Sequence, residues 1–204
     1  MEFSEAVRRR RMVRRYLDRP LPAGVADELA WITLRAPSAG FTQAVSSLLL
    51  ESAEDRDAFW AAAWPGDETA RSSGLRTAPL LILTWTSEAA YLDRYAEPDK
   101  GWTDRDPARW SAPYWWVDAG MAAMLTLLDA VDRGLGACFF GLPAERIELV
   151  RAAFGVPPDQ LSVGVTAVGY PDPAERPSGS PTRRNRRPAS SLIHVGRWDS
   201  QSSL

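Results

Sequence analysis

Cysteine and histidine each occur once in the 204 residues, as Cys138 and His194. One thiol excludes an internal disulfide framework. One thiol and one imidazole cannot furnish a four-ligand zinc site or an iron–sulfur cluster. His194 has no G-x-S-x-G elbow to serve, so serine-hydrolase chemistry falls as well. Lysine is nearly missing: of 24 basic residues only Lys100 is one, a bias that a GC-rich genome also produces. The chain also lacks a long apolar run. Its best stretch, "WWVDAGMAAMLTLLDAV" at 115–131, is interrupted by Asp118 and Asp129 and is too short and too charged to cross a bilayer. It reads as a buried helix. No apolar segment resembling a signal peptide occupies the first thirty residues, so a cytoplasmic protein with no membrane partner is expected.

What is present is arginine, unevenly placed. Residues 8–16 read "RRRRMVRRY", and residues 1–19 hold seven arginines against three acids. Residues 176–198 hold six arginines and no acid, while the body between is acidic, and the formal net charge is only −2. Basic ends on an acidic body fit either nucleic-acid-binding tails or termini that converge on a small anion. "FSEAVRRRRMVRRYL" places apolar residues at helical spacing among the arginines, which favours a docked element over a floppy arm and speaks against nucleic acid. The run is equally compatible with a plain solvated helix face.

At 45% hydrophobic and 25% charged, the chain is expected to form one domain over residues 1–204. Period and caps predict helices near 3–14, 23–36, 53–63, 112–133 and 144–154. Short apolar runs bounded by turn residues predict strands near 46–52, 79–85, 136–140 and 161–169. Ser111 and Pro113 are expected to start the long helix and Gly134 to close it. Covered strands and interleaved helices make an α+β or α/β sandwich. Residues 87–112 form a polar segment spaced with Tyr91, Tyr95, Trp102 and Trp110, which reads as a lid, a partner surface or a simple insertion. Residues 171–204 are expected to run as an extended arm. In "GLGACFFG" the glycines at 134, 136 and 141 miss the spacing of a dinucleotide fingerprint.

Four stretches occur in a telling order: "RRMVRRY", "RAPSAGFTQ", "RGLGACFFG", and "RRNRRP" followed by "LIHVGRW". Together with "LVRAAFGVPPD" and "VGYPDP" around the last strand, they resemble the nitroreductase-like flavoproteins over nearly the whole chain. That resemblance implies an α+β sandwich with a mostly antiparallel sheet flanked by helices and a long central helix at a homodimer interface. It implies FMN as cofactor, held by residues from both subunits, with the 87–112 insertion where the family varies the cover of its site. The activity implied is hydride transfer from NAD(P)H through flavin N5 to a small flat acceptor such as a quinone or nitroaromatic. A biosynthetic oxidase or dehydrogenase, and a non-catalytic flavin-sequestering protein, are the other readings of the same fold.

Carried residue by residue, the resemblance assigns the flavin phosphate to Arg10 with Arg184 and Arg186, where guanidinium forks suit phosphate oxygens. Arg14 falls beside the flavin edge that becomes negative on reduction, and Arg11 falls near the cofactor. Met12 stands where the family often has serine. Pro37, Ser38, Ala39 and Gly40 resemble the loop that approaches the flavin from the partner; Pro37 ends a helix and the three small residues permit close backbone approach. Phe41 replaces a frequent asparagine and Ala44 a proline. Arg71 aligns loosely with a polar position at the ring edge. Cys138, Phe139 and Phe140 would line one face of the ring, and the amides of Gly141 and Leu142 would donate toward N5 and O4. Cys138 itself reads as a small apolar group rather than a redox thiol.

Overall fold

A computed structural model describes residues 1–66, 74–176 and 180–198. Among these, strands β1 (Ser46–Leu50), β2 (Leu80–Thr86), β3 (Gly136–Phe140) and β4 (Leu161–Gly169) form one sheet. Its order is β1-β2-β4-β3, and every neighbouring pair is antiparallel. The helices are α1 (Phe3–Arg9), α2 (Val25–Trp31), α3 (Ala53–Ala63), α4 (Glu88–Ala96), α5 (Tyr114–Asp132) and α6 (Ile147–Phe154).

Strand β2 explains the layering. All seven of its residues are buried, and successive side chains point to opposite faces. Leu81, Leu83 and Trp85 pack with Phe59, Trp60 and Ala63 of α3 and Val150 of α6. Leu80 and Ile82 pack on the other side with Ala26 and Leu29 of α2 and Leu127 and Ala130 of α5. The fold is thus an α+β sandwich with helices on both faces of an antiparallel sheet. No helix of the described residues is long and apolar enough to cross a membrane.

The first helix is shorter than its periodicity suggests. It ends at Arg9, and Arg10 leaves the helical region with φ −57° and ψ 120°. Tertiary contacts override local propensity here. Met12 forms a parallel bridge with Ala137, and the Val13 amide donates to the Ala137 carbonyl at 2.9 Å. Tyr16, 2% exposed, places its hydroxyl 2.6 Å from the Val13 carbonyl and 3.0 Å from that of Ala167. Residues 12–16 therefore lie along the outer edge of β3. Residues 23–36 divide into α2 and a 3-10 turn over Ile32–Arg35. Ser111 is not the cap of the long helix: α5 starts at Tyr114, and Pro113 holds the cap position without a side-chain bond. Gly134 closes α5 as expected, with φ +73°.

Segment 87–112 carries a helix that its sequence conceals. Ser87 caps α4 by accepting the Ala90 amide at 3.3 Å, and the helix's one buried residue is Tyr91. Tyr91 and Tyr95, at i and i+4, supply its apolar stripe. The described part of the C-terminal arm starts with an antiparallel bridge from Pro171 to Tyr16 and includes two short 3-10 turns, Ser180–Thr182 and Ala189–Ser191.

Candidate functional site

Laying residues 10–16 against β3 sorts the arginines. Arg11 pairs with Glu175, whose side chain is only 4% exposed, and the Arg14 amide donates to the same carboxylate at 3.2 Å. Arg15 pairs with Asp172 at 2.8 Å. The Ala174 amide and then the Arg15 guanidinium hold the Asp172 carboxyl below its usual range. Arg9 meets Glu5 one helical turn away at 3.3 Å. Arg10 and Arg14 are half-buried and have no carboxylate partner among the described residues; the Arg14 guanidinium only reaches the Met12 carbonyl at 3.5 Å. Two guanidiniums without a carboxylate among the described residues thus flank the stretch laid against β3, and such groups suit an anion. Arg184 and Arg186 lie exposed on the arm, and no ion pair among the described residues joins them to the rest.

Strand β3 brings its C-terminal end to the same edge. The Phe139 amide donates to the Met12 thioether at 3.4 Å, so the methionine anchors the arginine segment instead of presenting a polar group. Phe140 stacks on Trp60, with centroids 6.0 Å apart and planes 13° from parallel. One face of that ring is thereby committed to the core. Beyond the strand, Gly141 and Leu142 have no hydrogen-bond acceptor for their amides among the described residues. Cys138 is buried within the core cluster.

The loop at 37–43 is built around a second set of partners. The Ala39 amide donates to Asp118 Oδ2 at 2.7 Å, and the Tyr91 hydroxyl donates to the same oxygen at 2.7 Å. Burial, then the bond to Asp118, pushes the Tyr91 phenol far up, so it stays protonated. Gly40 has φ +62°, and a Cβ there would stand 2.7 Å from Tyr95 Cε2, so glycine is required both by conformation and by space. Arg94 donates from Nε to the Gly40 carbonyl at 2.8 Å.

The structure therefore brings Arg10, Arg11, Met12, Arg14, Phe139 and Phe140 to one edge of the sheet, with Gly141 and Leu142 just past it. It ties Ala39 to Asp118 of α5 and Gly40 to Arg94 of α4, while Ser38 bonds within the loop. No hydrogen bond, ion pair or ring contact among the described residues joins the two sets within one chain. Pro37 is exposed ahead of the loop, and Arg71 lies outside the described residues. Sequence reasoning missed Glu175, Asp118 and Arg94. Asp118 did leave a signal: a carboxylate inside an apolar helix is rarely buried without a task, and this one is 2% exposed.

Comparison with known proteins bears on this arrangement. A family model described as the nitroreductase family matches residues 7–170. Among solved structures, a candidate nitroreductase in complex with FMN from Desulfovibrio desulfuricans is 24% identical, with 95% of each chain covered and a TM-score of 0.70. A candidate nitroreductase in complex with FMN from Exiguobacterium sibiricum is 19% identical, covering 92% of this chain and 98% of that one, with a TM-score of 0.70. A candidate NADH dehydrogenase/NAD(P)H nitroreductase from Parabacteroides distasonis is 23% identical, covering 96% and 98%, with a TM-score of 0.69. At these identities the structures attest the shared fold.

Proposed function

Because the chain belongs to the nitroreductase family, we propose that it is an FMN-dependent oxidoreductase that draws hydride from NAD(P)H and passes electrons to a small flat acceptor, a quinone or nitroaromatic. The observation that carries this reading is the sorting of the arginines. Arg11 and Arg15 are neutralised by Glu175 and Asp172, whereas Arg10 and Arg14, in the segment that runs along β3, have no carboxylate partner among the described residues. Two of the structural relatives hold FMN, and another is described as acting on NADH or NAD(P)H.

When bound, FMN would supply the redox chemistry, accepting and donating hydride at N5. The chain's own residues would bind and bias it. Arg10 would fork the phosphate, joined by Arg184 and Arg186 from the arm. Arg14 would face the flavin edge that gains negative charge on reduction and so raise the reduction potential. The amides of Gly141 and Leu142 would fix the ring edge by donating to it, and Ser38, Ala39 and Gly40 would let backbone approach closely. Arg11 would act indirectly, by fastening the strand that carries its neighbours.

Assembly enters because the two sets of residues stay apart in one chain. A homodimer in which the 37–43 loop of one subunit faces the arginine edge of the other would unite them. The surface offers a match: Trp116, Val117, Met121 and Met124 form an exposed apolar stripe along α5, from 38% to 46% exposed, and Leu34 on the packed 3-10 turn is 65% exposed. An apolar stripe of this kind suits such an interface. We place the protein in the cytoplasm, with no membrane or nucleic-acid partner.

The test is spectroscopic. Purified protein should be yellow and release FMN on heating; under argon NADH or NADPH should bleach it, and a quinone should restore the colour. A colourless protein whose titration with FMN gives no absorbance change would overturn the reading. Bleaching by dithionite but by neither nucleotide would remove NAD(P)H from it.

A further inference from the structure

The 37–43 loop is strained and yet held. Phe41 and Gln43 have φ of 56° and 55°, values that side-chain-bearing residues adopt only where the surroundings over-determine them. Local bonds contribute: Ser38 Oγ accepts the Gln43 amide at 3.0 Å, and the Thr42 hydroxyl donates to the Ala39 carbonyl at 2.6 Å. These alone do not fix the loop relative to the rest of the molecule. Two other residues do.

Asp118, on α5, binds Ala39 and Tyr91 through a single oxygen and so ties the loop, α4 and α5 at one point. Arg94, on α4, grips the Gly40 carbonyl with Nε while its other nitrogens bond both oxygens of Asp99 at 2.7 and 2.8 Å. That fork locks the arginine rotamer. Behind α4, Tyr95 packs against Trp110 and Trp102 with centroids 4.3 and 4.9 Å away, and Trp110 packs on Tyr114 at the start of α5. Helix α4 therefore cannot swing without unpacking these rings, and the loop cannot relax without releasing α4.

We propose that Asp118 and Arg94 are positioning residues that clamp residues 38–43 to the 87–112 insertion, making the insertion a fixed wall of the flavin site's substrate side. This rests on the flavin reading above. The clamp sets where Phe41, 74% exposed at the loop tip, is presented. The insertion then selects acceptors by the shape it imposes on the loop, not by opening and closing.

Hydrogen–deuterium exchange on the full chain tests the clamp without reference to flavin. Arg94→Ala, Tyr91→Phe and Asp118→Leu are expected to raise exchange over 38–43 by roughly tenfold while the sheet strands keep their protection. Asp118→Asn retains an oxygen acceptor and should stay within about threefold of wild type. Arg94 and Tyr91 keep the test open if Asp118→Leu does not fold. In parallel, Arg94→Ala should weaken FMN and riboflavin by the same factor, because the loop would contact the part they share. Unchanged exchange at 38–43, or a rise spread evenly through the sheet, would overturn the clamp. Raised exchange with unaltered flavin affinity and unaltered KM for the acceptor would overturn its role in the site. If the wild type takes up neither flavin, the functional reading fails and exchange alone decides the clamp.

Discussion

Arg10 and Arg11 are neighbours in the chain with opposite surroundings. Arg11 satisfies a carboxylate that is almost wholly out of solvent, whereas Arg10 has no acid to meet among the described residues. Removing Arg11 leaves Glu175 buried with only the Arg14 amide as donor among the described residues, a loss that belongs to folding. Removing Arg10 leaves the fold's ion pairs intact and, on the proposed function, deprives the phosphate of a charge-assisted fork. Arg11→Ala is accordingly expected to lower unfolding free energy by about 1–3 kcal/mol in urea titrations. Arg10→Ala should leave that midpoint nearly unmoved and weaken FMN by about 2–3 kcal/mol with riboflavin unaffected. Equal stability loss in the two variants would mean that the sorting does not divide their roles.

At the scale of elements, the insertion is the part with its own electrostatics. Arg94 holds the Asp99 carboxyl, and Arg109 the Asp104 carboxyl, below the ordinary 3.8, in each case chiefly through the side-chain hydrogen bond. A depressed pKa in the folded state contributes stability that is complete above 3.8 and disappears as pH falls through the lower folded value. Near-ultraviolet circular dichroism, to which the rings of Tyr91, Tyr95, Trp102 and Trp110 contribute, should hold from neutrality down to about 3.8 and lose intensity below it. Asp99→Asn with Asp104→Asn should remove that step. The same insertion shows what was legible in the sequence. Strands such as "LLILTW" could be read because an apolar run between turn residues has few other fates, and α6 because its aliphatic period is visible. Helix α4 was hidden because its stripe is Tyr91 and Tyr95 in a polar surround. The end of α1 was hidden because Val13 and Tyr16 fit a helix and a strand equally, and only Ala137 and Ala167 decide between them. For the site, arginine and glycine patterns singled out the segments on which the proposed function rests. Which arginine is free depended on Glu175, an acid more than 160 positions away with nothing local to mark it.

Across the whole molecule, the sheet's outer β3 edge is covered by the chain's own beginning, fastened by residues just past its last strand. Leu17 donates to Tyr170, Asp172 to Arg15, and Glu175 receives both Arg11 and the Arg14 amide. Contacts of such sequence separation cost loop entropy before they return anything, so they form after the sheet has nucleated. Glu175→Ala should then speed unfolding by roughly tenfold in stopped-flow measurements while leaving the folding rate within about twofold. A matching fall in the folding rate would put this edge in the nucleus instead. Order of synthesis gives this fastening a further meaning. Arg11 is made 164 positions ahead of Glu175, so in a growing chain it stays without that carboxylate until the residue emerges from the ribosome, and nascent chains stopped short of Glu175 are expected to yield residues 10–16 to proteases more readily than chains that carry it.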